Sequence, residues 1–337
     1  MKHFRTILAY AIVCILTACG ANTEKNDPVL ERPPYAVWTD SIRQFPRQSS
    51  YYYERGKLFV RNNDSAHAVR DLEKAFSIAE EPDYAIVLSS FWLDHGQPDS
   101  ARAVIRPALG RFPYNQLLRG NLFTSFFGEG RYEDAMRVTD SALAYDSASA
   151  GNWYNRAMAE DALRDSAGAL RSLERAYRLD SVDATLTYEL ANRYADAGNP
   201  AALAICERII RQQEQTQKKP DPYTIKGIYY ANTGKPAEAI ACFDQSIAIE
   251  YTFLQAYLEK GTLLFKLHKY ADALKVFGLS TTVDNTFADG YYWTGRCQQE
   301  LGQLKDARLN YQRALAFDKR FTEAREALRK IDDANGK

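Results

Sequence analysis

The residues with which this chain of 337 could do chemistry are few, and their spacing argues against a reaction centre. Beyond a histidine near the start there are only His67, His95 and His268, and none has a second ligand at the short separation that a zinc site uses. The adjacent carboxylates Glu80-Glu81 and Asp332-Asp333 fall at helix ends or in the tail, where solvated charges are expected rather than an acid–base pair. The glycines recur at repeat positions and form no phosphate-cradling loop. Cys206, Cys242 and Cys297 sit among apolar residues and are odd in number, so small buried hydrophobes are expected rather than a disulfide framework. No enzyme, no cofactor and no metal follow from this inventory. Cys19 is different, because Lys2, His3, Arg5 and the apolar run Ile7 to Leu16 precede it. A run of about ten residues is too short for a permanent membrane span and reads as an export signal.

The sequence Leu16-Thr17-Ala18-Cys19 resembles the lipobox of bacterial lipoproteins. The resemblance implies cleavage of residues 1–18, with Cys19 as the acylated N-terminus. Several acyl chains on one residue anchor stably, at about 0.8 kcal/mol per buried methylene. Residues 19–34 are expected to form a flexible tether, being polar from Asn22 to Asp27 and interrupted by Pro28, Pro33 and Pro34. Gly20 after the cysteine resembles the pattern of lipoproteins sent to the outer membrane, which places the chain in the bacterial cell envelope with the leaflet open. The 43 basic and 43 acidic residues balance, and no basic block marks nucleic acid as a ligand.

Organisation comes from a ruler of eight alanines: Ala68, Ala101, Ala135, Ala169, Ala202, Ala239, Ala273 and Ala307. They are spaced by 33, 34, 34, 33, 37, 34 and 34 residues. With the alanine as position 20 of a 34-residue repeat, position 8 is mostly small (Gly56, Ser89, Ala157, Ala191, Gly227, Gly261, Gly295). Position 24 is mostly bulky (Leu72, Ile105, Leu173, Phe243, Phe277, Tyr311). Small residues at 8, 20 and 27 let two helices approach closely while the large ones fill the flanks. Gly96-Gln97-Pro98, Gly198-Asn199-Pro200 and Gly234-Lys235-Pro236 end one helix and start the next. Repeat three fits worst, with Arg119 and Phe123 at positions 4 and 8, and position 11 is polar in two repeats, at Glu160 and Gln298.

This pattern resembles the tetratricopeptide repeat, best in the copy from Tyr223 through Gly227, Tyr230, Ala239 and Phe243. The resemblance implies an all-α fold, an α-solenoid forming a right-handed superhelix of about eight helix-turn-helix repeats over 49–321. Half-repeat caps are expected at 35–48, with Trp38, Ser41 and Ile42 facing the stack, and at 322–337, with Ala324, Leu328 and Ile331 doing so. The stretch Arg211 to Pro222 reads either as an over-long second helix with a solvated loop or as a hinge.

In the family, positions 2, 5, 9, 12 and 13 of the first helix line a binding groove. Carried over, these are Tyr53, Lys57 and Arg61 of repeat one, Tyr154, Met158 and Asp161 of repeat four, and Tyr188, Asn192 and Asp196 of repeat five. Phe265 and Lys266 of repeat seven follow, then Tyr292, Arg296 and Glu300 of repeat eight. No repeat supplies both residues of the clamp that grips chaperone carboxylate tails, so that ligand is not expected. The resemblance implies a non-enzymatic, membrane-anchored adaptor that holds envelope proteins or peptide segments. The alternative is a surface lipoprotein that captures a carbohydrate or peptide on the aromatic groove residues.

Overall fold

A computed structural model describes residues 27–213 and 218–335. Cys19 and the signal at 1–18 lie outside the described residues. The described chain is all-α, with 18 helices in succession. A short helix α1 (Ala36–Gln44) is followed by eight hairpins. They are α2 (Ser49–Arg61) with α3 (Ser65–Ile78), α4 (Pro82–Asp94) with α5 (Pro98–Arg111), α6 (Gln116–Phe127) with α7 (Tyr132–Tyr145), and α8 (Ala150–Ala162) with α9 (Ser166–Leu179). After them come α10 (Ala184–Asp196) with α11 (Ala201–Gln213), α12 (Asp221–Asn232) with α13 (Pro236–Ile249), α14 (Leu254–Lys266) with α15 (Tyr270–Val283), and α16 (Ala288–Glu300) with α17 (Leu304–Phe317). Helix α18 (Thr322–Asn335) ends the series. The chain divides into two compact units, the first ending at Ser172 and the second beginning at Leu173, so the boundary falls within α9.

Each unit is a solenoid-like stack. In the N-terminal unit the first helices touch in sequence, α2 on α4, α4 on α6 and α6 on α8; in the C-terminal unit α10 meets α12, α12 meets α14 and α14 meets α16. Every one of the eight position-20 alanines is fully buried. The reason lies across the hairpin. A Cβ built on Gly227 would lie 2.4 Å from the Phe243 ring, one on Gly261 2.4 Å from Phe277, and one on Gly295 2.7 Å from Tyr311. Position 8 must therefore lose its side chain where position 24 carries an aromatic ring. Repeat three reverses the exchange, with Phe123 at 8 and Thr139 at 24, both buried. That explains its poor fit to the pattern.

The turns are more regular than the sequence shows. Position 15 has positive φ in all eight repeats: Asn63, Gly96, Gly130, Arg164, Gly198, Gly234, His268 and Gly302. The next residue's N–H bonds back to the position-11 carbonyl each time, as in Asp64 to Phe59 at 3.0 Å and Asn199 to Tyr194 at 2.7 Å. This is the Schellman closure, which occupies carbonyls that a helix end leaves open. Arg164 and His268 adopt the left-handed conformation without glycine's freedom, held there by the same two backbone bonds.

The polar residues at position 11 are matched by polar residues at position 23 of the same hairpin. Ser172 Oγ donates to Glu160 Oε2 at 2.6 Å, and Asn310 Nδ2 donates to Gln298 Oε1 at 2.8 Å. Burial without such partners would cost about 1–3 kcal/mol per group.

Three expectations about the ends and the interruption need correction or sharpening. Tyr35, just before α1, is buried with Thr39 and Ile42 of the helix, so Ile42 faces the stack as expected, while Ser41 and Trp38 are half-exposed and Trp38 tilts against Tyr51. Helix α18 buries Ala324 and Ile331 as expected. The segment from Asp27 to Pro34, read as the end of a flexible tether, packs onto the N-terminal unit instead. Leu30 is 1% exposed in a cluster with Tyr35, Phe59, Ala68 and Phe91. Around 211–222, the described residues on both sides belong to the C-terminal unit, where α10 and α11 both pack on α12.

His67 fastens the N-terminal segment. Its Nε2 lies 2.6 Å from Asp27 Oδ2 and its Nδ1 2.7 Å from Asp64 Oδ2, so both ring nitrogens serve as donors and the imidazole is held as a cation. Burial lowers its pKa, but the bonds to Asp27 and Asp64 outweigh burial and the value ends above the ordinary 6.5. The bond from His67 holds Asp27 below its ordinary 3.8. The stabilisation from His67 is therefore complete below 6.5 and lost as pH rises through its raised value. That from Asp27 is complete above 3.8 and lost as pH falls through its lowered value. An NMR titration is expected to give His67 an inflection above the ordinary 6.5, and Asp27→Asn to shift it downward. An unshifted His67 in the wild-type chain would contradict the clasp.

Candidate functional site: the first-helix faces

The residues available for binding lie on the layer of first helices, at spacings of four that keep them on one face. In the N-terminal unit, the Tyr53 ring sits 4.7 Å from Tyr84, and Lys57 Nζ lies 4.5 Å above the Tyr53 ring and 2.8 Å from Glu54. Burial raises the Tyr53 phenol. Arg61 is exposed at the end of α2. On α8, Tyr154 and Asp161 are half-buried, while Met158 packs on the cluster of Phe123, Phe126 and Ala135. A hollow of about 670 Å³ lies at the turn ends of α4 to α7, lined by Gly96, Asp99, Thr124 and Glu129 among others. It does not include the expected groove residues.

In the C-terminal unit the expected positions do converge. A cleft of about 360 Å³ opens between α10, α12 and α14. Tyr188, Asn192 and Asp196 of α10 form one wall, as the sequence implied. Asp221, Thr224, Ile225 and Ile228 of α12 form the middle, and Phe253, Gln255 and Glu259 the far side. Asp221, Thr224 and Ile228 occupy positions 2, 5 and 9 of repeat six and could have been carried over by the same rule. Glu259, at position 6, could not. The Tyr188 hydroxyl accepts a long hydrogen bond from Gln213 at 3.4 Å, and burial, reinforced by Asp221, raises its pKa. Burial holds the Glu259 carboxyl above the usual range; Gln255, donating at 2.6 Å, partly offsets this, and the charge of Asp196 adds to it. Asp196 is raised too, chiefly by burial.

The last group serves packing more than binding. Tyr292 is 8% exposed, in contact with the cap through Phe321 at 4.9 Å and with Tyr311 at 5.9 Å. Phe265 lies between Tyr270 at 5.1 Å and Trp293 at 5.4 Å. Arg296 covers Phe265 at 5.2 Å and donates to the Tyr292 hydroxyl at 3.1 Å. A sequence cannot separate such tyrosines from free ones, because position 5 faces either the groove or the neighbouring hairpin depending on what the neighbour offers.

The groups that could react are occupied by structure. Burial pushes the Cys206 and Cys297 thiols up to about 12, which suppresses the thiolate, and Cys242 is raised as well. His95 contacts the Phe91 carbonyl at 2.8 Å through Nδ1, and His268 contacts Tyr270 through Nδ1 at 2.7 Å. Among the described residues no group of three His, Cys, Asp or Glu could hold a metal ion, and no helix is long and apolar enough to cross a membrane.

The family model for the tetratricopeptide repeat matches residues 49–82 and 220–252, which are the hairpins α2–α3 and α12–α13. The chain carries tetratricopeptide repeats. Among solved structures it is similar to a tetratricopeptide repeat protein from Parabacteroides merdae, with 14% identity over 85% of this chain and 99% of that one, at a TM-score of 0.53. It is also similar to PilW, described as a widely conserved type IV pilus biogenesis factor, with 19% identity over 64% of this chain and 99% of that one, at a TM-score of 0.50. At these identities the likeness speaks to the fold. No curated protein matches the sequence.

Proposed function

We propose that this chain is a non-enzymatic adaptor of the bacterial cell envelope, anchored through acylated Cys19, that holds polypeptide segments on the faces of its first helices. One observation carries the binding part. The cleft of α10, α12 and α14 presents an aromatic ring, an amide, aliphatic side chains and carboxylates on surfaces that hairpin packing leaves unused. A stack of hairpins buries its core between first and second helices, so such a face is free for a ligand by construction. The anchor rests on the sequence from Ile7 to Cys19.

Affinity capture from detergent-solubilised envelopes is expected to retain defined proteins on the full chain. Tyr188→Ala with Asn192→Ala is expected to weaken that retention by tenfold or more, about the effect of losing an interface hot spot, with helical content unchanged by circular dichroism. Retention equal to wild type removes the first-helix faces as the binding surface. Labelling with a fatty acid reads the anchor separately, and a Cys19→Ser chain that keeps the label contradicts it.

A further inference from the structure

We infer that the cleft between α10, α12 and α14 receives a lysine or arginine side chain of a partner polypeptide. This deepens the adaptor reading and rests on it. Charge complementarity carries the choice of occupant. Asp196, Asp221 and Glu259 face the cleft from three different helices. Among the described residues none of the three is in an ion pair, whereas Glu54, Glu160, Glu189 and Asp244 each are. The nearby cations do not neutralise them. Arg193 is engaged with Glu189 at 3.0 Å and lowers Asp196 only by its charge, which burial outweighs, and Lys266 is exposed near the end of α14 and reaches Glu259 only through its field.

The electrostatics favour a cationic ligand. Asp196 raises the Glu259 carboxyl, adding to the effect of burial, as two acidic groups facing one cleft do. A positive group between the two would reverse that. The shape selects a long amphipathic side chain over a bare ion. Among the described residues no group of three acids, histidines or cysteines could hold a metal ion, so the cleft offers a bare ion no ligand set. Ile225, Ile228 and Phe253 supply an apolar surface along the way. Lysine and arginine lay their methylene stems on such a surface while the charged head reaches polar groups. The Asn192 amide, with no hydrogen bond among the described residues, and the Gln255 amide are placed to meet the ligand's backbone.

The test uses the full chain and a fluorescein-labelled peptide of alternating lysine and leucine, with a glutamate–leucine peptide as its counterpart. Fluorescence anisotropy is expected to show binding of the lysine peptide that weakens with added salt. Asp196→Asn with Glu259→Gln, which keep shape and remove charge, are expected to lower its affinity about tenfold or more. Asp244→Asn with Glu207→Gln, on the second helices and outside the cleft, are expected to leave it unchanged. Equal binding of the glutamate peptide overturns the cationic assignment while leaving the adaptor reading standing. Affinity unaffected by the cleft variants overturns it too, as does displacement by spermidine at the concentration at which the unlabelled peptide displaces. If neither peptide binds and envelope capture retrieves nothing, both readings fall together.

Discussion

Replacing Asp71 by alanine is expected to destabilise the N-terminal unit by about 3–5 kcal/mol, since it strands a buried guanidinium. Arg55 and Asp71 have side chains only 1% exposed. Arg55 Nε donates to one carboxylate oxygen at 2.6 Å and Nη2 to the other at 2.8 Å, while Nη1 reaches Thr39 Oγ1 at 3.0 Å. Thr39 in turn donates to the Tyr35 carbonyl at 3.1 Å, so one cation ties α3 through α2 to the capping helix α1. Removing both charges tells the pair apart from its parts. Arg55→Met with Asp71→Leu is expected to restore most of the loss, because two charges taken out of water gain little beyond their own desolvation. Hydrogen exchange read separately on α1 to α4 measures both variants. Exchange in Asp71→Ala indistinguishable from wild type would mean that water reaches Arg55.

The second large effect concerns Gly261. Alanine there should gain roughly 1 kcal/mol in helix propensity. The new Cβ, however, would lie 2.4 Å from the Phe277 ring, which is wholly buried. Overpacking of this kind costs about 1–3 kcal/mol and exceeds the propensity gain. Net loss is therefore expected for Gly261→Ala and a larger one for Gly261→Val. Phe277→Leu added to Gly261→Ala should recover part of it, since a Cβ built on Gly56 would lie 3.0 Å from Leu72 in the first repeat, farther than the 2.4 Å at Gly261. Gly110 is the control, since a Cβ there meets nothing within 4 Å and alanine should stabilise. Urea unfolding followed by circular dichroism decides the signs. A stabilised Gly261→Ala would show that the hairpin can open at no cost.

The candidate site was partly legible. Tyr188, Asn192 and Asp196 could be placed by position because a period of 34 puts the same helical face on the same side of every hairpin. Glu259 could not, since position 6 is not among the first-helix positions carried over from the family. Nor could the sequence show that Tyr292 is buried by the last cap, or that Leu30 and Asp27 fold back onto the first repeat. Position specifies a direction from the helix axis. Burial depends on which side chain the neighbouring hairpin brings, some 30 residues away.

What the sequence determined by itself is the hairpin and its repetition. Small residues at 8 and 20 with bulk at 24 admit one close helix pair, and a chain of such pairs must stack to keep the bulk from water. What only the tertiary structure decided is how each irregular copy was balanced. Glu160 found Ser172, Gln298 found Asn310, Arg55 found Asp71, and Asp196, Asp221 and Glu259 came together at one cleft of the C-terminal unit. Those outcomes hinge on distances of a few ångströms between helices, and a periodic pattern of residue types carries no information at that scale.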